Sequence, residues 1–144
     1  MVIGIDIGTG STKGVLADTD GNVLFSEVVR HETSFPQPGW AEHDADLIWW
    51  NDVVEICRKL TAYAKGDVAG LCISGIGPVF LPANDRGVPL RPAILYGVDT
   101  RSAVEIDELT ERYGEDEILK TCGNGLTAQS VGPKIEWVKK IEPE

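Results

Sequence analysis

The sequence predicts an α/β domain built on a mixed β-sheet with helices packed against it. The chain opens with apolar, β-branched runs separated by turn-forming stretches rich in Gly, Ser, Thr, Asp and Asn, which is typical of hairpin-connected strands. An amphipathic helical pattern follows, with apolar residues at intervals of three and four: Trp49, Val53, Ile56, Leu60 and Tyr63. Another β-rich run comes after this helix. A crossover helix of this kind joins parallel strands, so the sheet is expected to contain both pairings.

The elements are predicted in order from these patterns. Three antiparallel strands form a meander, with the first strand central and buried on both faces, the second over 14–18 and the third over 23–30. Asp44 or Asp46 caps a helix that extends to about residue 65. A strand over 68–73 lies parallel to the first strand. The remaining predicted elements are a short strand over 79–82 and helices over 102–113, over 115–121 and after 129–134.

Composition and charge exclude several classes of function. The net charge is −10 and the pI about 4.6, so a nucleic-acid partner is not expected. No apolar run reaches the roughly 18 residues of a membrane span, and we expect no signal peptide and no membrane partner. The three cysteines form no C-x-x-C pair and are interpreted as reduced, mostly buried thiols of a cytoplasmic protein. His31 and His43 are too isolated to predict a metal site.

The opening stretch carries the first candidate site. Asp6 ends an apolar run and is followed by Gly8-Thr9-Gly10-Ser11-Thr12-Lys13. The spacing fits neither the G-x-G-x-x-G dinucleotide fingerprint nor the Walker A loop. A β-turn-β hairpin remains, whose N–H groups can bind phosphates while Asp6 holds a hydrated Mg²⁺ and Lys13 offsets charge. A purely structural hairpin is the alternative interpretation.

The sequence D-I-G-T-G-S-T-K at 6–13 resembles the first phosphate-binding motif of the sugar kinase, actin and chaperone-ATPase superfamily. The resemblance is greatest to the FGGY carbohydrate kinases. It implies a ribonuclease H-like (actin-like ATPase) fold with ATP and Mg²⁺ as cofactors. It also implies that Asp6 orders Mg²⁺ or its waters, and that the phosphates are bound by Gly8, Thr9, Gly10, Ser11, Thr12 and Lys13.

Three later stretches resemble substrate-binding parts of the same family. In the loop 74–78, Gly77 and Pro78 occupy the positions of a Met-His pair in xylulose kinases. The stretch 90–101 resembles a Trp-x-Asp-x-Arg signature, and a Pro-Lys helix start follows Gln129. The resemblance assigns substrate contacts to Gly77, Pro78, Tyr96, Asp99, Arg101 and Gln129. The alternatives are a bare loop at 77–78, a helix cap at Asp99 and a loop-bridging role for Gln129.

The resemblance covers residues 1–144 and implies the N-terminal part of the first of two actin-like domains. The general base of the family lies in a later Gly-Asp motif and is expected beyond Glu144. No catalytic residue is therefore expected in this chain, and the isolated chain is expected to be inactive.

The implied function is transfer of the γ-phosphate of ATP to a hydroxyl of a polyol or ketose, together with the missing remainder of the kinase. An actin- or chaperone-like nucleotide-binding module and a non-catalytic remnant are the alternatives. The acceptor is unresolved, and homo-oligomerisation is left open.

Overall fold

A computed structural model describes residues 1–143. Glu144, which ends the predicted domain part and beyond which the general base is expected, lies outside the described residues. The chain forms two compact units. Unit 1 comprises Met1–Thr33 and Asp44–Ile76, and unit 2 comprises Ser34–His43 and the chain from Gly77 onward.

The elements follow one another along both units. In chain order they are β1 (Val2–Ile7), β2 (Ser11–Ala17), β3 (Val23–Arg30), β4 (Glu42–His43), a π-helical segment (Ala45–Trp50), α1 (Asn51–Tyr63), β5 (Gly70–Gly75), β6 (Ala93–Ile94), α2 (Ala103–Tyr113), α3 (Glu115–Cys122) and α4 (Val131–Ile141).

Unit 1 is organised by a four-stranded sheet of order β3-β2-β1-β5. Strand β1 pairs antiparallel with β2 and parallel with β5, and β2 pairs antiparallel with β3. The predicted mixed α/β sheet with a central first strand is therefore confirmed.

One helix packs on this sheet, as predicted, but it begins irregularly. Asp44 is the N-cap, and its Oδ1 accepts hydrogen bonds from the backbone N–H groups of Asp46 and Leu47 at 3.0 and 2.8 Å. The chain then makes the π-helical segment before α1 starts at Asn51. A wider first turn of this kind leaves the apolar face of α1 directed at the sheet.

The core of unit 1 lies between α1 and one face of the sheet. Side chains from both elements are buried there, namely Ile3, Ile5, Leu16, Val53, Ile56 and Leu60. The prediction that β1 is buried on both faces is wrong, because Val2 on the opposite face is 41% exposed. The prediction of mostly buried thiols is also wrong, since Cys72 and Cys122 are exposed.

Unit 2 consists of a small two-stranded sheet and three helices. Strands β4 and β6 pair antiparallel, while the predicted strand over 79–82 is reduced to a single bridge between Phe80 and Ile94. Helices α2 and α3 lie within one residue of the predicted bounds, while α4 begins at Val131, inside the stretch 129–134 that was predicted to precede it. Across residues 1–143, no helix is long and apolar enough to cross a membrane.

Replacing Gly14 by alanine is expected to lower the free energy of unfolding by about 1–3 kcal/mol, the usual cost of overpacking a core. A Cβ atom at Gly14 would lie 2.2 Å from Cγ2 of Ile56, so α1 would have to move away from β2. Urea denaturation of the purified chain measures the loss. The matched control is Gly70→Ala, because a Cβ at that strand glycine meets nothing within 4 Å. Equal losses of unfolding free energy for the two variants would contradict the close approach of Ile56 to Gly14.

Candidate functional site

The hairpin between β1 and β2 turns through residues 8–11, which we call the tip. The N–H of Gly8 donates a hydrogen bond to the carbonyl of Ser11 at 2.9 Å and closes the turn. A Cβ atom at Gly8 would lie 3.0 Å from that same carbonyl oxygen, so glycine suits this position. Gly10, in contrast, is exposed and has open space around it.

The three consecutive carbonyls of Gly8, Thr9 and Gly10 are bound by the segment that follows β3. His31 Nε2 lies 3.1 Å from the Gly8 carbonyl oxygen, the Thr33 hydroxyl donates to that of Thr9 at 3.3 Å, and the His31 N–H donates to that of Gly10 at 3.2 Å. In a trans peptide, a carbonyl and the following N–H point in opposite directions. The N–H groups that follow these carbonyls are therefore turned away from this segment. Successive N–H groups presented in this way form an anion-binding concavity.

A buried polar network lies beneath the tip. Asp52, in the first turn of α1, accepts a hydrogen bond from the Thr12 hydroxyl at 2.8 Å and lies 2.7 Å from His31 Nδ1. The side chains of His31 and Asp52 are only 6% and 8% exposed. Sequence reasoning expected the Thr12 hydroxyl at the tip, but the structure turns it inward. The pairing of His31 with Asp52 joins residues 21 positions apart and was not predicted.

Asp6 lies on the sheet face opposite α1, in a row with residues of the two neighbouring strands. It pairs in register with Lys13 on β2 and with Ser74 on β5, and all three are exposed. The Ser74 hydroxyl donates to Oδ1 of Asp6 at 2.7 Å. Sequence reasoning did not assign Ser74 to this site, because the predicted strand over 68–73 ended before it, whereas β5 spans Gly70–Gly75 and pairs Ser74 with Asp6.

The row of Asp6, Lys13 and Ser74 contains one carboxylate that could bind a metal ion, that of Asp6. Among residues 1–143, no three His, Cys, Asp or Glu side chains are grouped so that they could hold a metal ion together. Mg²⁺ is commonly held by one or two carboxylates, with waters and substrate phosphates completing its coordination. Asp6 has the chemistry that this arrangement needs, since Ser74 orients one of its oxygens.

In unit 2, the predicted substrate residues Asp99 and Arg101 are buried in an ion pair. Asp99 is 0% exposed and accepts hydrogen bonds from the Ala41 N–H at 2.7 Å and from Arg101 Nη2 at 2.7 Å. The alternative that Asp99 caps α2 is wrong, because Ser102 occupies the N-cap position. Asp99 instead anchors the backbone just before β4.

Arg101 is enclosed on several sides. Its Nη1 donates to Glu42 at 2.7 Å, and Glu42 also accepts from Arg91. The guanidinium carbon lies 4.0 Å from the ring centroid of Trp40 and 5.1 Å from that of Trp137, which makes two cation–π contacts. We call Asp99, Arg101, Glu42, Arg91, Trp40 and Trp137 the Asp99 cluster. Trp40 thus packs against the buried guanidinium of Arg101 and against the ring of Trp137.

The other predicted substrate residues remain accessible. Gly77, Pro78 and Gln129 are exposed, and Tyr96 is partly buried. The side chain of Gln129 packs on the backbone of Gly97, where an added Cβ would lie 3.0 Å from its Cγ. Gln129 therefore contacts Gly97, the residue that follows Tyr96. The assignment of Gln129 and Tyr96 to one site requires that they lie close together.

Lys134 is fully buried at the start of α4, where its Nζ donates to the carbonyl of Ala128. Burial lowers the pKa of Lys134, because a charged ammonium is poorly solvated there. The Asp99 carboxylate opposes this effect by raising that pKa, and the charge of Arg101 lowers it further.

Comparison with known proteins assigns this architecture to a family. The N-terminal domain model of the FGGY family of carbohydrate kinases matches residues 1–144. The chain belongs to the FGGY family. The predicted resemblance is therefore confirmed.

Curated FGGY relatives are much longer than this chain. A xylulose kinase of Staphylococcus xylosus is 32% identical over 144 residues, and one of Escherichia coli K12 is 34% identical over 147 residues. A glycerol kinase of Streptomyces coelicolor is 31% identical over 141 residues. These alignments cover 96–100% of this chain but only 27–29% of the relatives.

Solved FGGY structures share the fold. The chain superposes on xylulose kinase from Rhodospirillum rubrum with a TM-score of 0.90 and 34% identity. For gluconate kinase from Lactobacillus acidophilus the TM-score is 0.89, with 26% identity. For Plasmodium falciparum glycerol kinase, solved with ADP, the TM-score is 0.83 and the sequence identity 26%. Each comparison covers 99% of this chain and 29% of the other chain. The predicted ribonuclease H-like fold class is confirmed.

Replacing Arg101 by methionine is expected to lower the free energy of unfolding by about 3–5 kcal/mol, because it leaves Asp99 buried without its cation. Urea denaturation of the chain measures this loss. Lys120→Met removes a cation whose side chain is 79% exposed, and serves as the control with little expected effect. Similar stability of the two variants would contradict a structural role for the Asp99 cluster.

Replacing Lys134 by methionine is expected to change the pH dependence of stability. Because burial lowers its pKa below the ordinary 10.5, the folded chain releases this proton at lower pH than the unfolded chain does. Stability contributed by Lys134 therefore rises with pH between the lowered pKa and 10.5. Urea denaturation from about pH 7 to about pH 10 is expected to show wild type gaining stability relative to the variant. Parallel profiles would contradict the shift.

Proposed function

We propose that this chain is the N-terminal part of the first domain of an ATP-dependent carbohydrate kinase, which transfers the γ-phosphate of ATP to a hydroxyl of a sugar or polyol. The observation that carries this proposal is the tip, where three consecutive carbonyls are bound from behind and the N–H groups are turned outward. Membership of the FGGY family supports it. The same membership disfavours an actin- or chaperone-like module.

We call Asp6, Lys13 and Ser74 the Asp6 row. The tip and the Asp6 row would together bind the phosphate groups and neutralise their charge. The outward N–H groups of residues 9–11 suit the β- and γ-phosphate oxygens. Lys13 contributes a positive charge from an exposed position on β2. Asp6 would hold Mg²⁺ or its waters, with Ser74 keeping the carboxylate in one orientation. A bound Mg²⁺ neutralises charge that develops on the transferred phosphoryl group.

The substrate residues divide by exposure into two groups. We propose Gln129, Tyr96, Gly77 and Pro78 as the positions that reach a substrate, since solvent reaches them. A side-chain amide such as that of Gln129 both donates to and accepts from sugar hydroxyls. Asp99 and Arg101 would act indirectly by holding the segment at Ala41 in place. A polyol or ketose as acceptor is supported by the names of the similar kinases.

We propose that the general base lies beyond Glu144, in the remainder of the kinase. The chain spans about 29% of the length of the curated relatives that it matches. Residues 1–144 alone are therefore expected to show no sugar-dependent ATP turnover. A coupled ADP-release assay with a panel of polyols and ketoses tests this expectation, and robust turnover by residues 1–144 would overturn it. A cytoplasmic location remains a prediction.

Replacing Asp6 by asparagine in the full-length kinase is expected to lower kcat by about 100-fold, the scale of losing one preorganised electrostatic contact. The Mg²⁺ concentration for half-maximal activity is expected to rise as well, because an amide is a weaker ligand than a carboxylate. Steady-state assays over a Mg²⁺ titration measure both quantities.

The matched control for this experiment is Asp20→Asn in the exposed turn between β2 and β3, where the same charge is removed away from the tip. Unchanged activity of the Asp6 variant would overturn the role assigned to Asp6. A wild-type full-length protein without sugar-dependent ATP turnover would instead favour the remaining alternative, a protein that keeps the fold without the chemistry.

A further inference from the structure

The imidazole of His31 lies between two acceptors. Its Nε2 is 3.1 Å from the carbonyl oxygen of Gly8, and its Nδ1 is 2.7 Å from Oδ2 of Asp52. A carbonyl can only accept, so Nε2 carries a hydrogen and donates it to Gly8. The Thr12 hydroxyl donates to the same carboxylate oxygen of Asp52. The ring thus bridges the Gly8 carbonyl and the Asp52 carboxylate, with one nitrogen directed at each.

Asp52 holds this ring in a fixed place. It belongs to α1, whose apolar residues Val53, Ile56 and Leu60 are packed into the core of unit 1. A hydrogen bond that an imidazole N–H donates to a buried carboxylate is charge-assisted and stronger than one between neutral groups. The position of the ring, and through it that of the Gly8 carbonyl, is thus coupled to the helix that packs into the core of unit 1.

We propose that His31 is a positioning residue for the phosphate-binding tip, holding the peptide that follows Gly8 in the orientation that presents the Thr9 N–H to a nucleotide phosphate. This inference rests on the proposed kinase function and deepens it. The side chain acts through the Gly8 carbonyl on the side away from the ligand. Thr33 and the His31 backbone bind the next two carbonyls, so the loss of the ring loosens the first of three supports.

Two conservative variants separate this role from a general stabilising one. His31→Gln places an amide nitrogen at the same number of bonds from Cβ as Nε2, and so can still donate to Gly8. His31→Asn places its amide nitrogen at the position of Nδ1, and so can contact Asp52 but not Gly8. If the Gly8 contact matters for the ligand, only the asparagine variant loses nucleotide affinity.

The experiment uses the full-length kinase with Mg·ADP as the probe. We expect His31→Asn to raise the Kd for Mg·ADP and the KM for Mg·ATP by about tenfold, the effect of one charge-assisted hydrogen bond. The KM for the sugar is expected to change by less than about twofold, and His31→Gln is expected to stay within about threefold of wild type. Isothermal titration calorimetry and steady-state kinetics give these values.

A matched control replaces another buried imidazole. His43 is 0% exposed and lies in unit 2, so His43→Asn is expected to lower stability without a selective change in the affinity for Mg·ADP. If His31→Asn does not fold, Asp52→Asn takes its place. It withdraws the charge that anchors the ring, and it is also expected to weaken binding of Mg·ADP.

The possible failures are distinguishable. If wild type binds Mg·ADP and neither His31→Asn nor Asp52→Asn binds it more weakly, the positioning role is overturned while the proposed kinase function stands. Equal losses for His31→Asn and His31→Gln would overturn the role assigned to the Gly8 contact. If the wild-type kinase binds no Mg·ADP and phosphorylates no sugar, the proposed function fails and this inference fails with it.

Discussion

The buried carboxylate of Asp52 is the interaction on which the candidate phosphate site depends. It receives hydrogen bonds from β2, through Thr12, and from the segment after β3, through His31. A carboxylate removed from water in this way is costly unless it is paired and hydrogen-bonded, so each of its donors is held in place. Oδ2 of Asp52 thereby links α1, the β1–β2 hairpin and the segment at 31–33. An exposed loop of glycines and hydroxyls would otherwise be among the more mobile parts of a protein.

Unit 2 also pairs buried carboxylates with hydrogen-bond donors, but it does so with different residues. Asp99 and Glu42 are buried carboxylates, and the planar guanidinium of Arg101 satisfies both while it stacks against Trp40. Arginine suits this place because its charge persists in a buried site and its fork of donors can bind two carboxylates at once. The family signature around 99–101 is therefore, in this chain, first a structural device that holds the backbone at Ala41.

The chemistry assigned to the chain is correspondingly limited. Phosphoryl transfer depends mainly on positioning and on neutralising charge, and under the proposed function the tip and the Asp6 row would provide parts of both. Under the same proposal, the residue that takes the proton from the acceptor hydroxyl lies beyond Glu144.

The sequence by itself determined the mixed sheet, the order of its strands, the helix that packs on it and the family, because hydrophobic periodicity and the 6–13 motif are local signals. It also placed Asp6 at the end of a strand beside a small-residue turn. It could not decide which polar side chains face inward. Thr12 and Asp99 carry groups suited to ligands, yet both are committed to partners that lie 40 and 58 positions away in the chain. Only the tertiary structure decides such pairings, because the partners of a buried polar group are set by packing and not by the residues next to it.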